Sequence, residues 1–448
     1  MTHLRRNFGW NVAEVVISAL ILFFLYRMIV AKLGIAALGV WSLVAATTAV
    51  GRVFDAGASG GLTRYVALAR LEAGDRHKAA VYVESAILMN TALYVGLGLL
   101  MYLPARWSLA AVTHGATTHD ALVLLPLSLV AFALSSISAV VGSALVGFGR
   151  SDQKSGVWIL ALVGQLVTAV LLIPSLGLVG VAVSQVVQFA IQLVAGWVLT
   201  LRLLHGKYRI AIPRTLSRDA VKELLGFGLR LQSINMISLL NEPAIRYVFV
   251  AIGGVNMLGY YEMASRCVSQ IRAVISAPAQ NLVPLFAASE SALAERAQRI
   301  YEAAVVGLGA LALGGLGGFA AAAPIASYLL IGKISSTFIQ FAWLCSLGWL
   351  VNIVAIPSYY LGIGLGHLRW NVAGAIVTTL VSPGMAWLLG ASLGDAGLVA
   401  GAMIGVASGA LLTMVMNARS FGVPIAPNLR HVPAILTSAM RKAFGLPN

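Results

Sequence analysis

The chain has 448 residues, of which 59% are hydrophobic and only 10% charged, where a soluble domain carries about 25% charged residues. Water-facing surface must be covered by something polar, so a soluble fold is excluded and the chain reads as a polytopic membrane protein. The 30 Lys and Arg against 15 Asp and Glu give a net charge of +15, which in such a protein marks basic cytoplasmic loops, and no nucleic-acid partner is expected.

A bilayer core about 30 Å thick takes about 20 apolar residues per helix. Long apolar runs, rich in the 46 glycines, predict twelve spans and do not fit the short alternating strands of an outer-membrane barrel. The spans fall at 10–32, 38–66, 79–103, 120–148, 155–174, 178–202, 224–252, 257–286, 300–324, 335–363, 370–390 and 396–418. The first run is too long for the apolar core of a signal peptide and lacks a cleavage site. After the sixth span comes the longest polar connection, Arg202 to Lys222, with Pro213 and six basic residues. It divides the chain into an N-terminal six-helix lobe at 1–205, a basic cytoplasmic linker at 206–222, a C-terminal six-helix lobe at 223–420 and a cytoplasmic tail at 421–448.

Basic residues also set the expected orientation. With the N-terminus inside, the even-numbered loops and both termini hold 20 Lys and Arg, among them Arg150, Arg214 and Arg369, while the outer loops hold three, Lys32, Arg106 and Lys333. That bias places both termini in the cytoplasm, as for a bacterial inner-membrane protein.

The halves repeat. Gly34-Ile-Ala-Ala-Leu-Gly39-Val-Trp41 joins the first two spans, and Gly254-Val-Asn-Met-Leu-Gly259-Tyr-Tyr261 joins the seventh and eighth. At the same offset of 220, Arg52 falls on Arg272 and Tyr26 on Arg246. At an offset of 217, Gly147-Phe-Gly149-Arg150 matches Gly364-Leu-Gly366-His367, and Gly177-Leu-Val-Gly180 matches Gly394-Asp-Ala-Gly397. An even number of spans per half makes these parallel repeats about an axis along the membrane normal, a transporter architecture with its substrate site between the lobes.

Several of these residues carry a family likeness. Leu33-Gly34, Gly39-Val40-Trp41, Asp55-Ala56-Gly57 and Arg64-Tyr65-Val66-Ala67 resemble the opening of polysaccharide biosynthesis flippases of the Wzx type. So do Leu258-Gly259-Tyr260-Tyr261, Ala264, Arg266, Pro284, the Gly147-Phe-Gly149 turn and Leu176-Gly-Leu-Val-Gly180. The likeness spans about residues 5 to 420 and implies the multidrug/oligosaccharidyl-lipid/polysaccharide (MOP) exporter superfamily. Its flippase branch turns a sugar chain on undecaprenyl pyrophosphate from the cytoplasmic to the periplasmic leaflet by alternating access. Twelve spans differ from the fourteen typical of lipid II flippases. The acidic pair that many drug-exporting MATE relatives carry on their first helix is missing, since Glu14 is the only carboxylate there.

A charge at the bilayer centre costs about 2.5–3.5 kcal/mol on insertion scales. Nine intramembrane charges stand out, Glu14, Arg27, Arg52, Asp55, Glu242, Arg246, Glu262, Arg266 and Arg272, all in spans one, two, seven and eight. The resemblance implies that these four spans line the central cleft. Arg52 and Asp55, Glu242 and Arg246, and Glu262 and Arg266 are spaced so that each pair can neutralise itself on one helix face. Arg27 and Arg272 have no carboxylate three or four residues away. Because a guanidinium stays charged and donates two parallel hydrogen bonds to phosphate, Arg27, Arg272, Arg52, Arg246 and Arg266 are the candidate substrate-binding residues. Glu14 is the candidate coupling carboxylate for H+ or Na+, with a packing role as the alternative. Trp41, Tyr260 and Tyr261 read as an interfacial belt or as sugar-stacking faces. Gln232, Asn235 and Asn241 can bond hydroxyls or neighbouring helices.

Other signals carry no chemistry. Gly57-Ala-Ser59-Gly-Gly61 fits a hydrolase pattern but has no preceding strand, and no phosphate-binding loop motif occurs. His114 and His119 lack a third ligand. Cys267 and Cys345 read as small core residues. Neither a metal nor a cofactor is expected. The leading expectation is thus a non-enzymatic flippase for undecaprenyl-pyrophosphate oligosaccharide in capsule, exopolysaccharide or O-antigen synthesis, embedded in membrane lipid and working beside polysaccharide polymerase and export partners. The alternatives are an ion-coupled small-molecule antiporter and a non-transporting subunit of a secretion complex.

Overall fold

The computed structural model describes residues 2–54, 58–71, 76–206, 211–232, 236–287 and 294–425. Every regular element among them is helical. In chain order they are α1 (Thr2–Leu33), α2 (Ile35–Ala49), a 3-10 turn (Val50–Phe54), α3 (Ala58–Leu71), α4 (Arg76–Val112), α5 (Ala116–Gly147), α6 (Ser151–Leu176) and α7 (Leu178–His205). There follow α8 (Arg218–Gln232), α9 (Met236–Ser276), a second 3-10 turn (Pro278–Asn281), α10 (Leu282–Ala287), α11 (Ala294–Ile331), α12 (Ser336–Gly364) and α13 (Arg369–Phe421). In hydrocarbon only a helix or a closed barrel meets every backbone hydrogen bond, which is why these apolar runs take no other form.

Among the described residues, ten stretches are long and apolar enough to cross a bilayer. Two of them join two helices across a kink at a glycine, α9 at Gly254 (φ 75, ψ 176) and α13 at Gly394 (φ 65, ψ −148), which fits the twelve expected spans. The protein is a multi-pass, all-α membrane protein.

Three of the expected spans consist of more than one helical segment. The second runs α2, then the 3-10 turn containing Gly51 and Arg52, then α3; Gly51 is a poor helix former and lies against the Phe132 ring with no room for a Cβ. The eighth ends its α-helix at Ser276 and continues through the 3-10 turn that starts at Pro278, where proline has no N–H to donate. The seventh begins with the separate helix α8.

The backbone falls into two compact units, Met1–Gly259 and Tyr260–Asn448. The unit boundary lies in α9, beyond the 206–222 segment read as the linker. In the first unit, Leu62, Val66, Tyr82, Val83, Ile137, Val141 and Leu224 close a core among α3, α4, α5 and α8. The segment before α8 is strapped down. The Glu84 carboxylate accepts the backbone N–H of Arg214 at 2.9 Å and of Thr215 at 2.8 Å. Ser85 Oγ accepts from Ser217 N–H at 2.9 Å, and Trp197 Nε1 donates to the Ala211 carbonyl at 2.7 Å. In the second unit Phe286, Tyr301, Val305, Leu361 and Ala418 form a core. Beside it Asn417 Nδ2 donates to Ser358 O at 3.0 Å and Asn371 Oδ1 at 2.8 Å, tying α12 to both arms of α13.

The repeat is written in backbone conformation. Ten glycines have positive φ, a region open to glycine at no steric cost: 34, 115, 149, 177 and 206 in one half, then 254, 332, 366, 394 and 422 in the other. Taken in order, the pairs are offset by 220, 217, 217, 217 and 216 residues. Each pair therefore marks the same turn of the same six-helix unit.

One contact inside the first unit obeys the same pseudo-symmetry. A Cβ at Gly39 would collide with the Val255 carbonyl, and a Cβ at Gly259 with the Ile35 carbonyl. Gly39 and Gly259 are repeat mates, as are Ile35 and Val255. The two hairpin turns thus meet backbone to backbone, each glycine seated on the other's carbonyl.

Candidate substrate-binding site

Among the intramembrane charges whose partners are described, three pairs are ionic and one cation, Arg272, is held by neutral groups. Glu14 on α1 belongs to the first group. Its carboxylate accepts from Lys154 Nζ at 3.1 Å and from the Ser155 hydroxyl at 2.5 Å. One turn further on, Trp158 Nε1 donates to Ser18 Oγ at 3.1 Å. The expected coupling carboxylate is therefore built into a seam between α1 and α6 and arrives charge-compensated.

Both self-neutralising pairs on α9 form. Arg246 Nη1 meets Glu242 at 3.0 Å, with the arginine 11% and the carboxylate 77% exposed. Arg266 Nη2 meets Glu262 at 2.9 Å, with the carboxylate only 3% exposed. A carboxylate buried to that degree requires its partner, because removing one member leaves an uncompensated charge. Asp55, read as the mate of Arg52, lies outside the described residues, as does Asn235; of Gln232 only the backbone is described.

Arg27 on α1 and Arg52 in the 3-10 turn are both exposed. Next to Arg27, Tyr26 is buried edge-on against Trp41, their rings 5.9 Å apart. Trp41 is only 7% exposed, so it is a packing residue and offers no face at an outer mouth. One helix position beyond Arg246, the Tyr247 hydroxyl bridges Thr47 at 2.9 Å and Ser108 at 2.7 Å. This joins α9 to α2 and α4. Asn241 Oδ1 is buried without a hydrogen-bond partner among the described residues.

Arg272 has a different environment. Its Nε donates to Asn352 Oδ1 at 3.2 Å, and its guanidinium carbon lies 4.4 Å from the centroid of the Trp349 ring. Trp349 and Asn352 sit three residues apart on α12 and so share a face. No carboxylate pairs with Arg272 among the described residues. Sequence reading singled out Arg272 but missed both of its holders. The available signal is an asparagine in the middle of the tenth apolar run, one turn from a tryptophan.

Chemically, Arg272 is a cation with Nε committed and one face covered. Its two terminal nitrogens remain to donate, a fork suited to phosphate oxygens. The paired arginines can reach an anion only by exchanging a carboxylate for it.

Comparison with known proteins gives this arrangement a context. A sequence model of the family described as "Polysaccharide biosynthesis protein" matches residues 4–290. A search of curated protein sequences found no match. Among solved structures, the fold is similar to an inward-facing multidrug resistance MATE family transporter of the MOP superfamily, with 18% identity, 90% of this chain and 94% of that one covered, and a TM-score of 0.75. It is also similar to the lipid II flippase MurJ in an inward closed conformation, at 12% identity, 92% and 91% coverage and a TM-score of 0.65. A MATE protein in complex with MaD3S matches at 19% identity, 93% and 96% coverage and a TM-score of 0.61. At such identities the likeness is one of fold.

Proposed function

The chain belongs to the polysaccharide biosynthesis protein family, and from that membership we propose that it flips undecaprenyl-pyrophosphate-linked oligosaccharide from the cytoplasmic to the periplasmic leaflet, for capsule, exopolysaccharide or O-antigen assembly. The MOP-type fold shared with transporters and with a lipid flippase supports the reading. The observation that carries it is Arg272, an intramembrane cation held by neutral groups. A charge inside a membrane-spanning helix is costly and marks a functional site by default.

In this mechanism two six-helix lobes, 1–205 and 223–420, alternate access to a central site in the inner membrane, with both termini and the 206–222 linker in the cytoplasm. Arg272 takes a diphosphate oxygen pair. Arg27 and Arg52, both exposed, attract the headgroup as it enters. Arg246 and Arg266 contribute by exchanging Glu242 or Glu262 for phosphate as the cargo passes. Glu14 couples the cycle to H+ or Na+ if Lys154 releases it. The flipped product is handed to polymerase and export partners.

The deciding experiment is mass spectrometry of lipid extracts from a strain deleted for the gene. Build-up of undecaprenyl-pyrophosphate oligosaccharide with loss of surface polysaccharide is expected. The intact gene should reverse both, and an Arg27→Ala/Arg272→Ala variant, confirmed to be inserted, should not. No build-up, with altered tolerance to cationic dyes, would move the protein to the antiporter alternative. Full rescue by the double variant would instead favour a non-transporting subunit.

A further inference from the structure

Two repeats with one backbone need not carry one chemistry. The glycine markers flanking α5 and α12, at 115 and 149 and at 332 and 366, fix the offset between those helices at 217. Trp349 and Asn352 then correspond to Phe132 and Ser135 on α5, just as Arg272 corresponds to Arg52. In the first repeat these positions are committed elsewhere. The Phe132 ring packs edge-on against Tyr94, 5.4 Å away, and covers Gly51. The Ser135 hydroxyl donates to the Phe132 carbonyl of its own helix at 2.8 Å. In the second repeat the same two positions carry the residues that hold a guanidinium, one beneath its plane and one on its Nε.

The choice of holders is informative. A carboxylate at position 352 would also accept from Nε, but it would discharge the arginine. An asparagine accepts the bond and leaves the positive charge intact. Tryptophan is the strongest of the aromatic cation partners and fixes the plane of the fork. Both residues orient Arg272 without consuming the terminal nitrogens that would meet an anion.

We propose that Trp349 and Asn352 are positioning residues that present Arg272 to the diphosphate of the lipid-linked cargo, so that the anion is held by the second repeat although the fold is symmetric. This rests on the cargo reading above, and the test separates the two. The full-length protein is purified into lipid nanodiscs, and the binding of undecaprenyl pyrophosphate and undecaprenyl monophosphate, both without sugar, is measured for each variant. The wild type binds the diphosphate more tightly. Asn352→Ala weakens that binding about tenfold, the scale of one hydrogen bond to a charged group. Trp349→Leu does the same, while Trp349→Phe, which keeps a ring face, loses less. Asn352→Ala added to Arg272→Ala costs nothing further, because both act through one guanidinium.

Asn352→Asp is the sharpest variant, since it preserves the acceptor and removes the net charge. It should bind the diphosphate at least as poorly as Asn352→Ala. Wild-type affinity in Asn352→Asp, or losses that multiply in the Asn352→Ala/Arg272→Ala protein, would overturn the positioning role and leave the cargo reading standing. A wild-type protein that shows no preference for the diphosphate would overturn the cargo reading itself. Size-exclusion profiles and melting temperatures establish that each variant is folded.

Discussion

In the first repeat the arginine at 52 lies exposed in a 3-10 turn beside Gly51, while Phe132 and Ser135, the counterparts of Trp349 and Asn352, pack on Tyr94 and on their own helix. In the second repeat the arginine at 272 lies within regular helix, its plane fixed on Trp349 and its Nε on Asn352. The glycine turns recur in both repeats, at offsets of 216 to 220 residues. Around the arginine what differs is two side-chain positions, Trp349 for Phe132 and Asn352 for Ser135, and one break in a helix. Duplication preserves the turns that glycine requires, whereas charged side chains inside a bilayer persist only where they are neutralised or used.

The largest effect expected from this contrast is on transport. Arg272→Ala should leave surface polysaccharide at background, whereas Arg52→Ala should retain most of it; loss of an oriented bidentate contact is worth about tenfold or more. Immunoblotting of surface polysaccharide in complemented deletion strains gives the comparison, and equal losses would break it.

Next comes the contact in which the repeats agree. Gly39→Leu and Gly259→Leu each force a side chain onto a carbonyl, an overpacking that costs about 1–3 kcal/mol. Thermal unfolding in detergent should show drops of similar size for the two, as the reciprocal geometry requires. A drop for one alone would mean that the two turns do not meet symmetrically.

A smaller effect belongs to Glu14. Lys154 is 38% exposed, so solvent screens the pair and Glu14→Gln should cost about 1 kcal/mol or less of stability. If Glu14 couples the cycle, the same variant abolishes the response of transport to an H+ or Na+ gradient. An unchanged response would leave Glu14 with its packing role. Least of all, Glu84→Ala frees two backbone N–H groups of the 211–217 strap. It should speed protease cleavage there a few-fold and leave transport intact.

Much of this was legible in the sequence because the bilayer and glycine both leave strong marks. Apolar runs marked the membrane-crossing stretches, and three of the five glycine turn pairs stood out through neighbouring identities. The other two, 115 with 332 and 206 with 422, are single glycines in unlike surroundings, and only their shared positive φ reveals them. Spacing of four residues correctly joined Glu242 to Arg246 and Glu262 to Arg266. It had no means of joining Glu14 to Lys154, or Arg272 to Asn352, because those contacts are 140 and 80 residues apart. The 3-10 turn at Val50–Phe54 was hidden for a related reason: the Gly51 within it packs against Phe132 on another helix.

The most direct measurement is flipping in proteoliposomes of a fluorescent undecaprenyl-pyrophosphate oligosaccharide, read by a membrane-impermeant quencher, for wild type, Arg52→Ala and Arg272→Ala side by side. The expected result is flipping by the wild type, most of it kept in Arg52→Ala and nearly all of it lost in Arg272→Ala. Equal rates in the two variants, or no flipping by the wild type, would contradict the assignment of the anion to the second repeat.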